Sequence, residues 1–239
     1  RMALPYHNGM RPYENVAFQW SCHTLDTGKG LLTHKEWINT DEAFPNFSFA
    51  ESLMDATKEG GEIMIWSHHE NSVLKDIYHQ MEKYNYANPV LREWLERTVK
   101  FDEFDTTELT DMCKMADRGY FHPYTHAKTS IKITLPAVLK SFTDPSIKTL
   151  LQKFDTDIDL YQVQGGEVLS PYKLLPGVRE IDDYEVNEGT GAMRAYQDMQ
   201  FGFAKNDRVK KEAIKNGLLS YCKLDTLAMV IIYKHWMSL

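Results

Sequence analysis

The chain has 239 residues, 43% of them hydrophobic, and a formal charge of −7 at neutral pH; this is enough apolar material for one large domain or two small ones, and the pattern reads as a single domain over 1–239. No run approaches the ~18 continuous apolar residues of a membrane span, and the start lacks the basic-then-apolar build of a secretory signal, so a cytoplasmic protein with no membrane partner is expected. The acidic balance argues against a protein that coats nucleic acid non-specifically, because such binding relies on Lys and Arg displacing counterions, yet it leaves room for a nuclease, whose site is itself acidic.

In chain order, residues 5–13 are rich in Pro, Gly and Asn and read as a loop. The β-branched and aromatic run 16–25 predicts a strand, 26–30 a hairpin turn, and 31–37 an antiparallel return. Residues 47–58 have the spacing of an amphipathic helix stopped by Gly60 and Gly61. The short apolar run 62–66 predicts a buried strand that delivers the chain to Ser67, His68, His69 and Glu70, with a helix over 71–84. Further helices are expected at 90–98, 107–117, 131–140, 146–154, 191–203 and 218–236. Strands first and helices later, with one strand–helix crossover, imply an α/β fold with a mixed sheet covered by helices. Residues 155–187, with Gly165, Gly166, Pro171 and Pro176, form the longest irregular stretch, expected to act as a lid or a partner-binding excursion.

Chemistry concentrates near Tyr221 and Asp225. On a helix these two stack one turn apart on one face, where a carboxylate can hold a divalent cation while a phenol orients a water for phosphodiester hydrolysis. Taken alone, the pair reads more readily as a half-buried core tyrosine beside a solvated or ion-paired acid. Lys205, Arg208, Lys210, Lys211 and Lys215 precede them as a basic run that either guides a phosphate backbone or is a solvated helix face. His68 and His69 can line a cleft and donate to a phosphate or to Glu70; with His122 and His126 they could also form a metal cluster, although Pro123 argues against the helix such a cluster needs. Ser130 is a candidate N-cap, and the free amides of its helix with Lys132 can hold a phosphate. No GxxxxGK[ST] or post-strand GxGxxG supports ATP or NAD. Ser21, Cys22 and His23 alternate faces of a strand and form no nucleophile–base pair. The spacing of Cys22, Cys113 and Cys222 gives neither a disulfide framework nor a zinc knuckle. Among the aromatics available for base stacking, 119–124 is the segment that concentrates them in a loop.

Several ordered segments carry a resemblance that spans almost the whole chain: residues 11–23, His34 to Trp37, His68 to Glu70 with Val73 and Leu74, Thr110 to Met112, Gly119 to Pro123, Ser130 to Pro136, Gly191 and Ala192 with Tyr196, and residues 221–229. They resemble a bacterial domain family of the ribonuclease H-like, DnaQ-like exonuclease superfamily. The resemblance implies a ribonuclease H-like mixed sheet flanked by helices and 3′-5′ hydrolysis of single-stranded DNA or RNA with two Mg²⁺ or Mn²⁺ ions. It implies Asp225 of a YxxxD motif and Glu70 as catalytic, metal-binding acids, Tyr221 as the water-orienting phenol, and Asp111 as an acid beside the metals. His68, His69, Lys132, Lys210 and Lys211 are the candidate nucleic-acid contacts.

The departure lies at the N-terminus, where related sequences place an Asp-Phe-Glu strand ahead of the loop that here becomes residues 2–13. The expectation is therefore a fragment trimmed past its first strand, with fused nuclease or repair domains in the full-length protein. Two other readings stay open: a catalytically silent ribonuclease H-like module that binds nucleic acid or a partner protein, and a purely structural domain of a larger protein.

Overall fold

The computed structural model describes residues 2, 4–102, 104–141, 144–155, 158–175 and 189–239. Alternation of side chains in β1 (Gln19–Asp26) and β2 (Leu31–Ile38) sets an antiparallel hairpin with Ser21 opposite Glu36 and His23 opposite His34. The Asp26 carboxylate closes its turn by accepting from the Gly28 and Lys29 amides, both at 3.0 Å, and Gly30 supplies the positive φ of +65° the turn requires. After α1 (Asn46–Thr57) comes β3 (Ile63–Ile65), then α2 (His69–Lys83) and α3 (Pro89–Thr98). The start of α3 is fixed by Asn88, whose side chain accepts from the Leu91 amide, with Pro89 at the first helical position. Phe47, Ala50, Leu74, Ile77, Leu91 and Trp94 close the core between α1, α2 and α3.

The helix expected over 107–117 divides instead. Leu109–Asp111 is β4, paired in parallel with β3, and Met112–Gly119 is α4. Leu109, Met112 and Ala116 do have helical spacing, but pairing with Ile63–Ile65 extends the first three residues. A 3₁₀ turn at Pro123–Thr125 leads to α5 (Ile131–Ser141) and α6 (Pro145–Gln152). Pro136 lies inside α5, so the Lys132 carbonyl lacks its helical N–H partner. The stretch expected to be irregular contains a small hairpin, β5 (Val163–Gln164) and β6 (Glu167–Val168), and α7 (Pro171–Leu174); Pro176 and the rest of it up to 188 lie outside the described residues. Then come α8 (Gly189–Gln200) and α9 (Arg208–Trp236).

The last helix is the spine. It has 29 residues and is about 43 Å long. Ile214 and Leu218 in its first half pack with Met2, Met10, Val16, Phe18 and Tyr196. Its second half, including Leu224, Leu227, Ala228 and Ile231, packs with Leu135, Val138, Ile147 and Leu151. The helix extends ten residues further back than the expected start at 218, with Asp207 accepting from the Val209 and Lys210 amides as its cap. The observed class is mixed α/β, but in place of one mixed sheet the described residues form three two-stranded sheets. Of these, β1–β2 lies against α9, while Trp66, just past β3, brings its ring within 6.4 Å of that of Trp236 at the end of α9. Among the described residues no helix is long and apolar enough to cross a membrane, and Cys22, Cys113 and Cys222 are free thiols.

Candidate functional site

The α-helical period of α9 puts Tyr221 and Asp225 one turn apart, as their spacing requires. Asp225 Oδ1 accepts a 2.8 Å hydrogen bond from the Tyr172 hydroxyl of α7. From α5, Lys132 Nζ lies 5.2 Å from the centroid of the Tyr221 ring and 6.0 Å from that of Tyr172, positions in which an ammonium is drawn to the ring face. Glu70 enters from the first turn of α2, just after Ser67, whose φ of +87° marks the sharp exit from β3. Four helices thus bring Glu70, Lys132, Tyr172, Tyr221 and Asp225 to one place.

The electrostatics follow from that crowding. Burial raises the Asp225 carboxyl to about 6, against the opposing pull of the Tyr172 hydrogen bond and the Lys132 charge. Glu70 is an exposed residue, yet the crowding of protein around its carboxyl, with the charges of Asp225 and Asp111, raises it to about 7. Burial and the Asp225 charge push the Tyr221 and Tyr172 phenols well above their ordinary range, so both remain protonated hydrogen-bond donors. Cys222, next to Tyr221, is pushed up by burial and by the charges of Asp225 and Glu70, leaving it an unreactive thiol.

Asp111 has a different occupation. Its Oδ1 accepts from the amides of Ser67 (3.0 Å), Cys113 (2.9 Å) and Lys114 (3.2 Å), tying the exit of β3 to the start of α4. Asp111→Ala is expected to destabilise the fold by about 1–2 kcal/mol, measured by denaturant unfolding, with Asp111→Asn recovering most of the loss. An unchanged midpoint in the alanine variant would mean that this cap is not made in solution.

The remaining candidates are scattered. His68 is exposed, its Nδ1 3.3 Å from Ser67 Oγ, and His69, beside it at the start of α2, is shifted toward its neutral form by burial. Lys210 and Lys211 start α9, fifteen residues and about 22 Å along the axis from Asp225, and Lys211 instead donates to Gln200 at 3.5 Å. His122 is buried with Nε2 2.9 Å from Ser141 Oγ, far in role from a ligand. The Ser130 carbonyl accepts the Ile133 and Thr134 amides at 2.9 Å.

A second polar cluster lies between the hairpin and α9. Ser21 Oγ is 2.8 Å from His34 Nε2 and 2.9 Å from Thr226 Oγ1, and His23 Nδ1 is 2.7 Å from the same Thr226 oxygen. Ser21 and His23 share a face, as residues two apart must, and the serine–histidine contact is made across the strands. It is no triad, because Glu36 approaches the same Nε2 at 3.8 Å rather than bracing Nδ1. Burial, reinforced by His34 and Lys223, brings His23 down to about 3, so it is a neutral structural imidazole. A small cavity of about 100 Å³ opens beside this cluster, lined by Glu36, Asn216 and Lys223.

Glu70 and Asp225 are hard oxygen donors of the type Mg²⁺ and Mn²⁺ prefer. Two carboxylates do not make a two-cation centre, however. Among the described residues no group of three or more His, Cys, Asp or Glu side chains could hold a metal ion. Tyr172 is the site residue that sequence reasoning missed, since it comes from a four-residue helix in the irregular stretch and touches Asp225 across 53 positions.

A family model described as "Domain of unknown function (DUF2779)" matches residues 1–130. The matched part includes Glu70 and Asp111 and stops short of Lys132, Tyr172, Tyr221 and Asp225. No curated protein and no solved structure matches the chain.

Proposed function

From a chain that belongs to the DUF2779 family, whose description prescribes no chemistry, we propose a ribonuclease H-like phosphodiesterase domain that hydrolyses single-stranded DNA or RNA from the 3′ end. The observation that carries this reading is the convergence of Glu70, Asp225, Tyr221 and Lys132 from α2, α9 and α5, with both carboxyls raised toward neutrality. Acids whose proton affinity is raised in a crowded polar site are the expected state of groups that meet a cation or a proton during work. Lys132 would attract a phosphate. The Tyr221 phenol stays protonated, so it orients a water through its hydroxyl rather than abstracting a proton.

Mg²⁺ or Mn²⁺ would supply Lewis-acid stabilisation of the phosphoryl oxygens, held by Asp225 and Glu70 together with acids that the described residues do not bring to the site.

The test is cleavage of a 5′-labelled single strand by the full-length protein with Mn²⁺, resolved as a ladder shortening from the 3′ end. Tyr221→Phe should lower turnover more than KM. Cleavage that survives Asp225→Ala overturns the assignment. A second reading, a silent module that binds without cutting, is favoured by two contacts: Asp111 is occupied as a helix cap and Tyr172 occupies Asp225. Tight strand binding with no cleavage under any divalent cation would establish it.

A further inference from the structure

Residues 112–141 reverse the charge balance of the chain. Within a sequence of net −7 they carry Lys114, Arg118, Lys128, Lys132 and Lys140 against the single acid Asp117. Lys114, Arg118 and Lys128 are exposed, and none has a carboxylate partner among the described residues. Between them the chain displays two rings, Phe121 at 77% exposure and Tyr124 at 52%.

The loop that holds those rings is built rather than slack. His122 is buried, bonded to Ser141 Oγ at 2.9 Å. Its Nδ1 accepts the Tyr124 amide at 3.3 Å, and its carbonyl accepts the Thr125 hydroxyl at 2.8 Å. His126 and Ala127 then take positive φ values of 51° and 58°, a conformation that non-glycine residues keep only where the surroundings impose it. Lys140 Nζ sits 4.1 Å from the Tyr124 ring centroid. Past Lys128, the Thr129 carbonyl is held by Trp66 Nε1 at 3.0 Å, and α5 begins, placing Lys132 against Tyr221. Along the chain, the features therefore run in order from the exposed rings to Lys132.

We propose that the surface of Lys114, Arg118, Phe121, Tyr124 and Lys128 is a platform for single-stranded nucleic acid, with bases stacked on the two rings and phosphates on the three cations, leading toward Lys132. Basic side chains alone would take any polyanion. Exposed rings on a fixed loop favour one with unstacked, planar bases, since base–aromatic stacking requires faces a duplex has already used. The direction of the strand rests on the functional reading above; the binding does not.

The test is fluorescence anisotropy of a labelled oligothymidylate with the 239-residue chain in EDTA, which prevents cleavage. The double variant Phe121→Ala/Tyr124→Ala should bind at least about tenfold more weakly, with the salt dependence unchanged. The triple variant Lys114→Ser/Arg118→Ser/Lys128→Ser should weaken binding and reduce the slope of log K against log salt by about 2. Phe104→Ala and Phe203→Ala, whose rings are 86% and 95% exposed elsewhere on the surface, should bind like wild type. No binding by the wild-type chain, unchanged affinity in the ring variant, or equal affinity for polyglutamate overturns the platform. Platform-dependent binding in a full-length protein that never cleaves leaves the platform standing and overturns the exonuclease reading; cleavage with ring variants binding normally does the reverse.

Discussion

Asp225→Asn is expected to abolish hydrolysis in the full-length protein while raising the melting temperature of the 239-residue chain at neutral pH. The Asp225 carboxyl is raised from its ordinary 3.8 to about 6, so the folded chain holds this proton more tightly than the unfolded one. For an acid shifted upward, the penalty of ionisation begins as pH rises through the unfolded value and is fully present above the folded value. Wild type should therefore lose stability between about pH 4 and 6 through this group. Asparagine carries no such charge, and its side-chain oxygen can still accept from Tyr172. Allowing for the partial exposure of the site, the gain above pH 6 should be on the order of 1–3 kcal/mol, or about 2–10 °C, and should vanish below pH 4. Neutralising Asp225 also relieves Glu70, whose carboxyl should titrate lower. Thermal unfolding by circular dichroism at pH 4 and pH 7.5 checks both arms; a variant less stable than wild type at pH 7.5 would mean that the Asp225 charge stabilises the site rather than straining it.

Leu224→Ala should do the opposite to stability. Leu224 is fully buried beside Asp225, packed in the core shared by α5, α6 and α9. Truncation removes its transfer free energy and leaves a cavity that helices from three directions cannot readily close, a cost of about 2–5 kcal/mol. For a chain of this size that corresponds to a fall of about 5–15 °C in melting temperature. Because the same turn of helix carries Tyr221 and Asp225, activity should fall even well below the new melting point. Unfolding midpoints in urea measure the effect, and a loss under ~1 kcal/mol would show that this core is looser than the packing implies.

The sequence carried the signals that local physics controls. The one-turn stacking of Tyr221 and Asp225 was legible from helical spacing, and the helices that carry Glu70 and Lys132 from local pattern; that these side chains meet depends on tertiary packing. Two elements were misread where tertiary contacts outweigh local preference. Leu109–Asp111 has helical spacing, yet parallel pairing with β3 makes it a strand and turns Asp111 into a cap. The last helix was expected to start at Leu218, but Ile214 and Leu218 bury side by side on α9 and the helix runs through Gly217 from Arg208. The expected single mixed sheet also required pairings between distant segments, which strand patterns do not specify; the described residues form three separate pairs. Nothing local linked Tyr172 to Asp225.

The reach of α9 also governs the order in which the fold can be completed. Ser21 and Thr226 meet across 205 positions, and Met2, Val16 and Phe18 share a core with Ile214 and Leu218. During synthesis, the opening loop and hairpin must wait with an uncovered apolar face until α9 has been made. Loop closure over that distance is entropically slow, and waiting surfaces of this kind are where aggregation competes with folding. The spine that organises the site is thus made after every segment it packs against, and the yield of folded protein depends on how long the ribosome keeps those earlier segments waiting for it.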